Sequence, residues 1–355
     1  MTQNQSTPPT PAPDPPVFVI AEAGVNHNGD LDVARRLVDV AADARADAVK
    51  FQTFKADRLV TRAAPRAEYQ RRATGDAASQ HAMLAALELS ERAHELLWQH
   101  CAERGIEFMS TPFDPESALY LKRLGVRRLK VPSGEVTNLP LLRLMGGLGL
   151  PVILSTGMAD LTEVEAAVTA LQGAGCRELS ILHCVSNYPA TPEATNLRAM
   201  DTLAYAFRVP VGLSDHTEGT AIAVAAVARG ATILEKHFTL DRGLPGPDHQ
   251  ASLEPGELKA LVRAVRDVTA ALGDGVKRPV ASELPIRDVA RKSLVTTHDL
   301  PAGATLRAGD LVILRPGTGL PPARLDDVIG RRTARAIPAQ TPLTESMLLP
   351  PEPAQ

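Results

Sequence analysis

The chain is expected to fold as an α/β protein: a (β/α)8 TIM barrel followed by a small, mostly β domain. Three observations predict this. Eight short runs rich in Val, Ile and Leu, each ending in polar or Gly residues, recur between Val17 and about Leu272. Amphipathic, Ala-rich stretches separate them, with apolar positions every three to four residues. Beyond residue 290 this rhythm gives way to short β-type runs broken by PAG, RAG and RPGTG turns. Eight βα units in roughly 250 residues is the size of such a barrel. A doubly wound open sheet would carry a Gly-rich phosphate loop after its first strand. The first turn here reads AEAGVNHNG instead.

Residues 1–16, MTQNQSTPPTPAPDPP, are Pro-rich and polar and read as a disordered tail. They lack the basic start and apolar stretch of a secretory signal. The strand candidates are FVIAEAG, ADAVKFQ, IEFMSTPF, RRLKVPSGE, PVILSTG, LSILHC, VPVGLSD and ATILEKHF. Helices are expected in DLDVARRLVDVAADA, PESALYLKRLG, LTEVEAAVTALQGAG and TAIAVAAVARG, several of which stop at Gly. The barrel domain is thus placed at 17–274. Residues 275–290 read as a linker and 291–350 as the small domain. A domain of that size has a thin core and needs support from a neighbour.

Composition narrows the function. Hydrophobic residues make up 44% and charged residues 22%, as in soluble globular proteins. A net charge of -3 offers no broad polyanion-binding surface, and 3% aromatics offer few stacking platforms, so no nucleic-acid partner is expected. No apolar run approaches a membrane span, so no membrane partner is expected. Cys101, Cys176 and Cys184 form no CxxC pair, which suits a reducing compartment, and the cytoplasm is the expected location.

In a barrel, residues just past each strand converge on one mouth. The strand ends bring Glu22, Asn26, His27, Lys50, Gln52, Ser110 and Thr111 there, with Lys130, Ser133, Glu135, Ser155 and Thr156. The later strands add His183, Ser186, Asn187, Tyr188, Ser214, Asp215, His216, Glu235, Lys236 and His237. Lysines and hydroxyls around one point suit a phosphate. Lys50 and Lys130 follow apolar residues at strand ends and read as ligands, against the alternative of surface charges. Ser133 and Ser155 either bind ligand or cap the next helix. His216 and His237, at successive strand ends, read either as a half-site for a divalent metal or as hydrogen-bonded core residues. Two protein ligands leave positions open for a catalytic ion. Asp248, in the Gly- and Pro-rich loop DRGLPGPDHQASLEP, either reaches the mouth or is solvated. Tyr188 either packs as core or orients substrate.

The chain resembles the sialic acid synthase family, the phosphoenolpyruvate-dependent nonulosonate synthases. The resemblance rests on AEAGVNHNGD, KFQTFKA, STPFD, KVPSGE, ILSTGM, LHCVSNYP, GLSDHT, EKHFT and LPGPDH, collinear through the barrel. The C-terminal part resembles the antifreeze-like (SAF) domain attached to these enzymes, on its RPGTG stretch. The resemblance implies a transferase that condenses phosphoenolpyruvate with an open-chain N-acetylated mannosamine-type sugar. The vinyl carbon attacks the aldehyde, water adds to the resulting cationic carbon, and phosphate leaves with cleavage of its C–O bond. It also implies a divalent metal, Mn2+ or Mg2+, held by His216 and His237 and polarising the aldehyde. Lys50, Thr111, Lys130, Ser133, Ser155, Ser186 and Ser214 would hold phosphoenolpyruvate. Glu22 would stand beside the reacting carbons as a catalytic group together with the two histidines. Gln52, Glu135, Tyr188 and Asp248 would line the sugar cavity. Arg315 would reach the sugar's N-acyl group in a partner subunit, which implies a domain-swapped homodimer.

Three departures bear on the sugar. Val185 and Ser186 stand where some members have a Thr-Asn pair. DVARKS replaces a Phe-rich stretch, so Val289 or Arg291 would meet the sugar, and KFQTF replaces KHQTH. EYQ, SQHAML and LELS lie closer to the bacterial branch that includes the N,N'-diacetyllegionaminate synthases. That product is therefore expected, with N-acetylneuraminate, made from N-acetylmannosamine, as the alternative; the two substrates differ at C4 and C6. More distant alternatives are a metal-dependent or Schiff-base aldolase and a non-catalytic ice- or glycan-binding protein. Because imidazole must be neutral to ligate a metal, activity is expected to fall as pH drops through roughly 6.5.

Overall fold

A computed structural model describes residues 16–65 and 79–350. The N-terminal tail, apart from Pro16, and the EYQ stretch lie outside the described residues. The chain divides into two compact units, Met1–Asp274 and Gly275–Gln355.

All eight expected strands form. They are β1 (Phe18–Gly24), β2 (Ala48–Thr53), β3 (Glu107–Pro112), β4 (Leu129–Val131), β5 (Val152–Ser155), β6 (Leu179–Cys184), β7 (Val211–Asp215) and β8 (Ile233–His237). They make one parallel sheet in the order β3-β2-β1-β8-β7-β6-β5-β4, which curls so that β3 and β4 lie side by side. This is a TIM barrel. The helices alternate with the strands as the periodicity predicts. Leu31–Asp43 starts at Asp30, whose carboxylate accepts from the amides of Asp32 and Val33. Pro115–Leu124 starts at Asp114 with a Pro in its first turn and ends at Gly125 in the left-handed conformation. Leu161–Gly173 carries a reciprocal Asp160–Glu163 capping box.

Strand side chains alternate between two environments. Outward residues such as Val19, Val49, Phe51 and Leu213 join helix residues Leu37, Leu97, Leu142 and Leu261 in the main core. Inward residues Ile20, Ala48, Met109, Ile153, Leu182 and Ile233 fill the barrel floor. Gly212 belongs to the same layer. A Cβ there would stand 2.1 Å from the Ile233 carbonyl oxygen, so no larger residue fits. Two residues further along most of these strands, on the same inward side, the character changes to polar, and this step makes the site.

The small unit is held by an antiparallel pair, β9 (Ser293–Thr296) and β10 (Leu311–Leu314). Isolated bridges such as Leu300 with Ile337 and Thr333 with Leu348 complete it. Among the described residues its core is eight side chains, including Leu294, Val328 and Leu343. Val312, Ile313 and Leu314 are exposed along β10. The segment read as a linker contains a short helix, Leu284–Ala290, with exposed Ile286 and Val289. Among the described residues no helix is long and apolar enough to cross a membrane.

Candidate active site

The polar layer above the barrel floor follows from strand period. Ile20 is followed by Glu22, Ala48 by Lys50, Met109 by Thr111, Ile153 by Ser155, and Ile233 by Glu235 and then His237. Each is inward because two residues along a strand return to the same face. They line a cavity of about 410 Å3, a volume typical of small-molecule sites, roughly 300–1,000 Å3.

Four buried charges form its base. Lys50 Nζ lies 2.8 Å from Glu22 Oε2, 3.0 Å from Thr111 Oγ1 and 3.7 Å from Glu235 Oε2. Lys130 Nζ donates to Ser155 Oγ at 2.8 Å and stands 3.5 Å from Glu235 Oε1, which also accepts from Ser214 Oγ at 3.1 Å. Glu235 Oε2 is buried without a hydrogen-bond partner, and Glu22 Oε2 has only the Lys50 ammonium beside it. Burial raises the Glu22 carboxyl to about 7, although Lys50 opposes the shift. Burial also acts on Glu235, but Lys130 and Lys50 outweigh it and hold that carboxyl down at about 2. Lys50 is raised, because Glu22 and Glu235 outweigh its burial; Lys130 is lowered, because burial prevails. Two ammoniums against one firmly ionised carboxylate leave the base attractive to an anion.

A second group stands above it. Gly157 donates its amide to Ser133 Oγ at 2.9 Å. A Cβ on Gly157 would lie 2.3 Å from Ser186 Oγ and 2.9 Å from Ser133 Oγ. The bare glycine therefore lets two hydroxyls and a backbone approach one another, a polar cradle beside the lysines.

The two histidines meet. Their ring centroids are 5.3 Å apart. His216 Nδ1 donates to the Val185 carbonyl at 2.7 Å, which leaves Nε2 for a ligand. His237 Nδ1 is buried without a hydrogen-bond partner. Burial, followed by the charge of His216, holds the His237 imidazole well below its ordinary range, so it stays neutral. Two oriented imidazoles, one with an orphaned nitrogen, fit a divalent ion. Among the described residues no group of three or more His, Cys, Asp or Glu is arranged to hold one, so the remaining positions would fall to substrate and water. In the range of the expected acid limb, burial brings the Glu22 carboxyl to about 7 and the Asp248 carboxyl to about 6, while the His216 imidazole is raised because Cys184 and the Val185 carbonyl outweigh its burial. The Tyr188 ring packs 4.0 Å from His216 and 5.5 Å from His237.

Asp248 reaches the cavity because two loops are tied together. Asn26 Nδ2 donates to the Phe238 carbonyl at 2.8 Å and to Ser252 Oγ at 3.0 Å, and Ser252 Oγ donates to the Asp248 carbonyl at 2.6 Å. Burial raises the Asp248 carboxyl to about 6, with His216 opposing.

Of the assigned residues, Glu22, Lys50, Gln52, Thr111, Lys130 and Ser133 line the cavity. So do Ser155, Ser186, Tyr188, Ser214, His216, His237 and Asp248. Glu135 does not; it accepts from Asn138 Nδ2 at 2.6 Å. Arg315 is exposed just past β10, in the small unit. Several strand-end residues prove structural. Asp215 and Lys236 point to the outer side and pair at 2.7 Å. His27 Nδ1 accepts from the Gly29 amide, and His183 Nε2 donates to the Thr195 carbonyl. Thr156 donates to the Leu182 carbonyl, and Ser110 pairs with Thr53. Sequence reasoning gave Glu235 no role. Its spacing of two from His237, which puts both on one strand face, is the signal that identifies it. The three cysteines are free and buried, and Cys184 lines the cavity.

A model of the NeuB family matches residues 37–277, and one of the SAF domain matches residues 291–349. The N,N'-diacetyllegionaminic acid synthase of Legionella pneumophila is 50% identical over 330 residues, covering 92% of this chain and 93% of that protein. The N,N'-diacetyllegionaminic acid synthase of Campylobacter jejuni is 47% identical, covering 88% and 95%. Among solved structures, the N-acetylneuraminic acid (sialic acid) synthetase of Leptospira borgpetersenii, in complex with citrate, is 38% identical with a TM-score of 0.67, covering 77% of this chain and 90% of that one.

Proposed function

The chain belongs to the NeuB family, and within it we propose an N,N'-diacetyllegionaminate synthase that condenses phosphoenolpyruvate with a diacetylated mannosamine-type sugar and releases phosphate. The base of the cavity carries the reading. Lys50 and Lys130 face one space in which a single carboxylate, Glu235, is firmly ionised. Their ammoniums, with Thr111, Ser155 and Ser214, hold the phosphate and carboxylate of phosphoenolpyruvate by charge-assisted bonds. Ser133 and Ser186 add donors where Gly157 leaves room.

Glu22 fits proton transfer. A carboxyl near 7 is half ionised at neutral pH, where a general base works best. It takes a proton at Oε2 from the water that adds to the cationic carbon, while Lys50 steadies the carboxylate. Asp248 and Gln52 orient the sugar, and Tyr188 keeps the imidazoles in place. His216 and His237 would hold a divalent ion, Mn2+ or Mg2+, and when bound it supplies a Lewis acid to the aldehyde oxygen. Arg315 completes the sugar site of a partner copy in a domain-swapped homodimer; the exposed apolar face of β10 and the thin core of the small unit support that arrangement.

Purified protein incubated with phosphoenolpyruvate, metal and each sugar tests the reading. Phosphate release with a higher kcat/KM for the diacetylated sugar than for N-acetylmannosamine is expected. The reverse preference moves the protein to N-acetylneuraminate synthesis, and release with neither sugar removes the synthase reading.

A further inference from the structure

The cavity is asymmetric. Its charged base and imidazoles take an anion and an aldehyde, and neither task uses the opposite wall. That wall is mainly apolar, with Gln80 as its polar member among the described residues. Leu59 and Val60 form part of it, at the end of the short helix Ala56–Leu59. Met83, Leu84 and Leu87 form the rest, on and just after the helix Gln80–Ala86. Buried Leu87, Val25 and Phe54 make a small cluster apart from the barrel core, and Leu59, Met83, Leu84 and Phe113 pack on it. Leu87 is buried, whereas Met83 and Leu84 keep part of their surface open.

The wall is fixed in place. Ser79 Oγ accepts from the Ala82 amide at 3.2 Å, capping the helix. Glu88 accepts from the Ala56 amide at 2.7 Å and from Lys55 Nζ at 2.8 Å. His81 Nε2 stands 2.8 Å from Asp57 Oδ1. Three polar ties therefore bind the two stretches to each other, and the apolar side chains between them form a standing surface.

We infer that this wall, through Met83 and Leu84, determines specificity for the far end of the sugar, selecting an acetamido methyl over a hydroxyl. The inference rests on the synthase reading above. With the aldehyde at the imidazoles, the carbon chain runs away from the charged base, and its distal substituents meet the remaining wall. A diacetylated sugar brings a second acetyl methyl, which loses water favourably against Met and Leu. A hydroxyl against Met83 and Leu84 loses its water and finds no partner in those two side chains. A hydrophobic contact of this kind discriminates by about 10–200-fold.

The test measures kcat/KM for both sugars, together with KM for phosphoenolpyruvate, in Met83→Gln and Leu84→Asn. Each change keeps side-chain length and adds polarity. A loss of about tenfold for the diacetylated sugar is expected, with KM for phosphoenolpyruvate unchanged and N-acetylmannosamine turnover equal or improved. Leu84→Met retains the wild-type preference. Unaltered preference in both polar variants, or equal losses for the two sugars, overturns the assignment of the wall. The two positions are tested separately, so misfolding at one leaves the other to decide, and the phosphoenolpyruvate KM reports an intact mouth. Wild-type protein that uses neither sugar, or prefers N-acetylmannosamine, removes the synthase reading itself and with it this inference.

Discussion

Two buried ion-pair systems lie back to back on the last strands of the barrel, and they are built differently. On the outer side, Asp215 and Lys236 meet at 2.7 Å, and Asp215 Oδ1 also accepts from the amide and hydroxyl of Thr217. On the inner side, Lys50 meets Glu22 at 2.8 Å, but Glu235 stands 3.5 and 3.7 Å from its two lysines and keeps one oxygen without a hydrogen bond. A satisfied pair holds structure together. A loose, under-satisfied one holds groups ready for something else, since buried polar atoms without partners are destabilising until a ligand supplies them. The same residue types, one position apart along a strand, thus divide between support and chemistry.

The contrast can be broken by substitution. Glu22→Gln should lower kcat by about 10²–10⁴-fold, the usual weight of a general base, while the fold survives. Its stability should even gain in alkali. Because the Glu22 carboxyl is raised from 4.5 to about 7, its stabilising contribution is complete below about 4.5 and is lost as pH rises through about 7. Urea melts at pH 8 should therefore show the Gln variant at least as stable as wild type; a clear loss of stability would make Glu22 a structural residue. Asp215→Ala should act the other way. It leaves Lys236 buried and unpaired, which costs about 3–5 kcal/mol. A shift of that size in the urea midpoint is expected, and a variant as stable as wild type would dissolve the contrast.

The pH profile sharpens it further. The kcat/KM of the free enzyme should fall about tenfold per pH unit below about 7, as Glu22 takes up its proton. In Glu22→Gln the limb should retreat toward about 6, where the Asp248 carboxyl titrates, and any metal-sensitive part should come from His216, whose imidazole is raised, since His237 stays neutral. Full recovery of activity on metal addition would return the limb to the imidazoles. The smallest effect is expected at Arg315→Ala, which should raise the sugar KM by about tenfold, the worth of one hydrogen bond to a charged group. A fall in kcat with unchanged KM would give Arg315 a part in the bond-making step.

Much of this was legible in the residues themselves. Apolar runs followed by polar ends gave all eight strands, because a parallel strand buried on both faces reads as a continuous hydrophobic run. His216 and His237 were identifiable from their places at successive strand ends, and they do meet. The apolar wall was not legible. Met83 and Leu84 sit in a short helix between strands, where the spacing of apolar residues does not say which surface they face. Glu235 lay in between: its spacing from His237 carried the signal, but its low pKa depends on lysines from β2 and β4.

The order of the strands, the polar layer above an apolar floor, and the convergence of lysines, hydroxyls and imidazoles were determined by the sequence alone, because strand period and barrel closure leave few other arrangements. Tertiary structure decided which of two adjacent charged residues faces inward, which carboxylate keeps its proton near neutrality, and what closes the far side of the cavity. Those outcomes depend on burial and on distances between side chains remote in sequence. A raised Glu22 beside a depressed Glu235 arises only when strands β1, β2, β4 and β8 bring their charges together in one water-poor space.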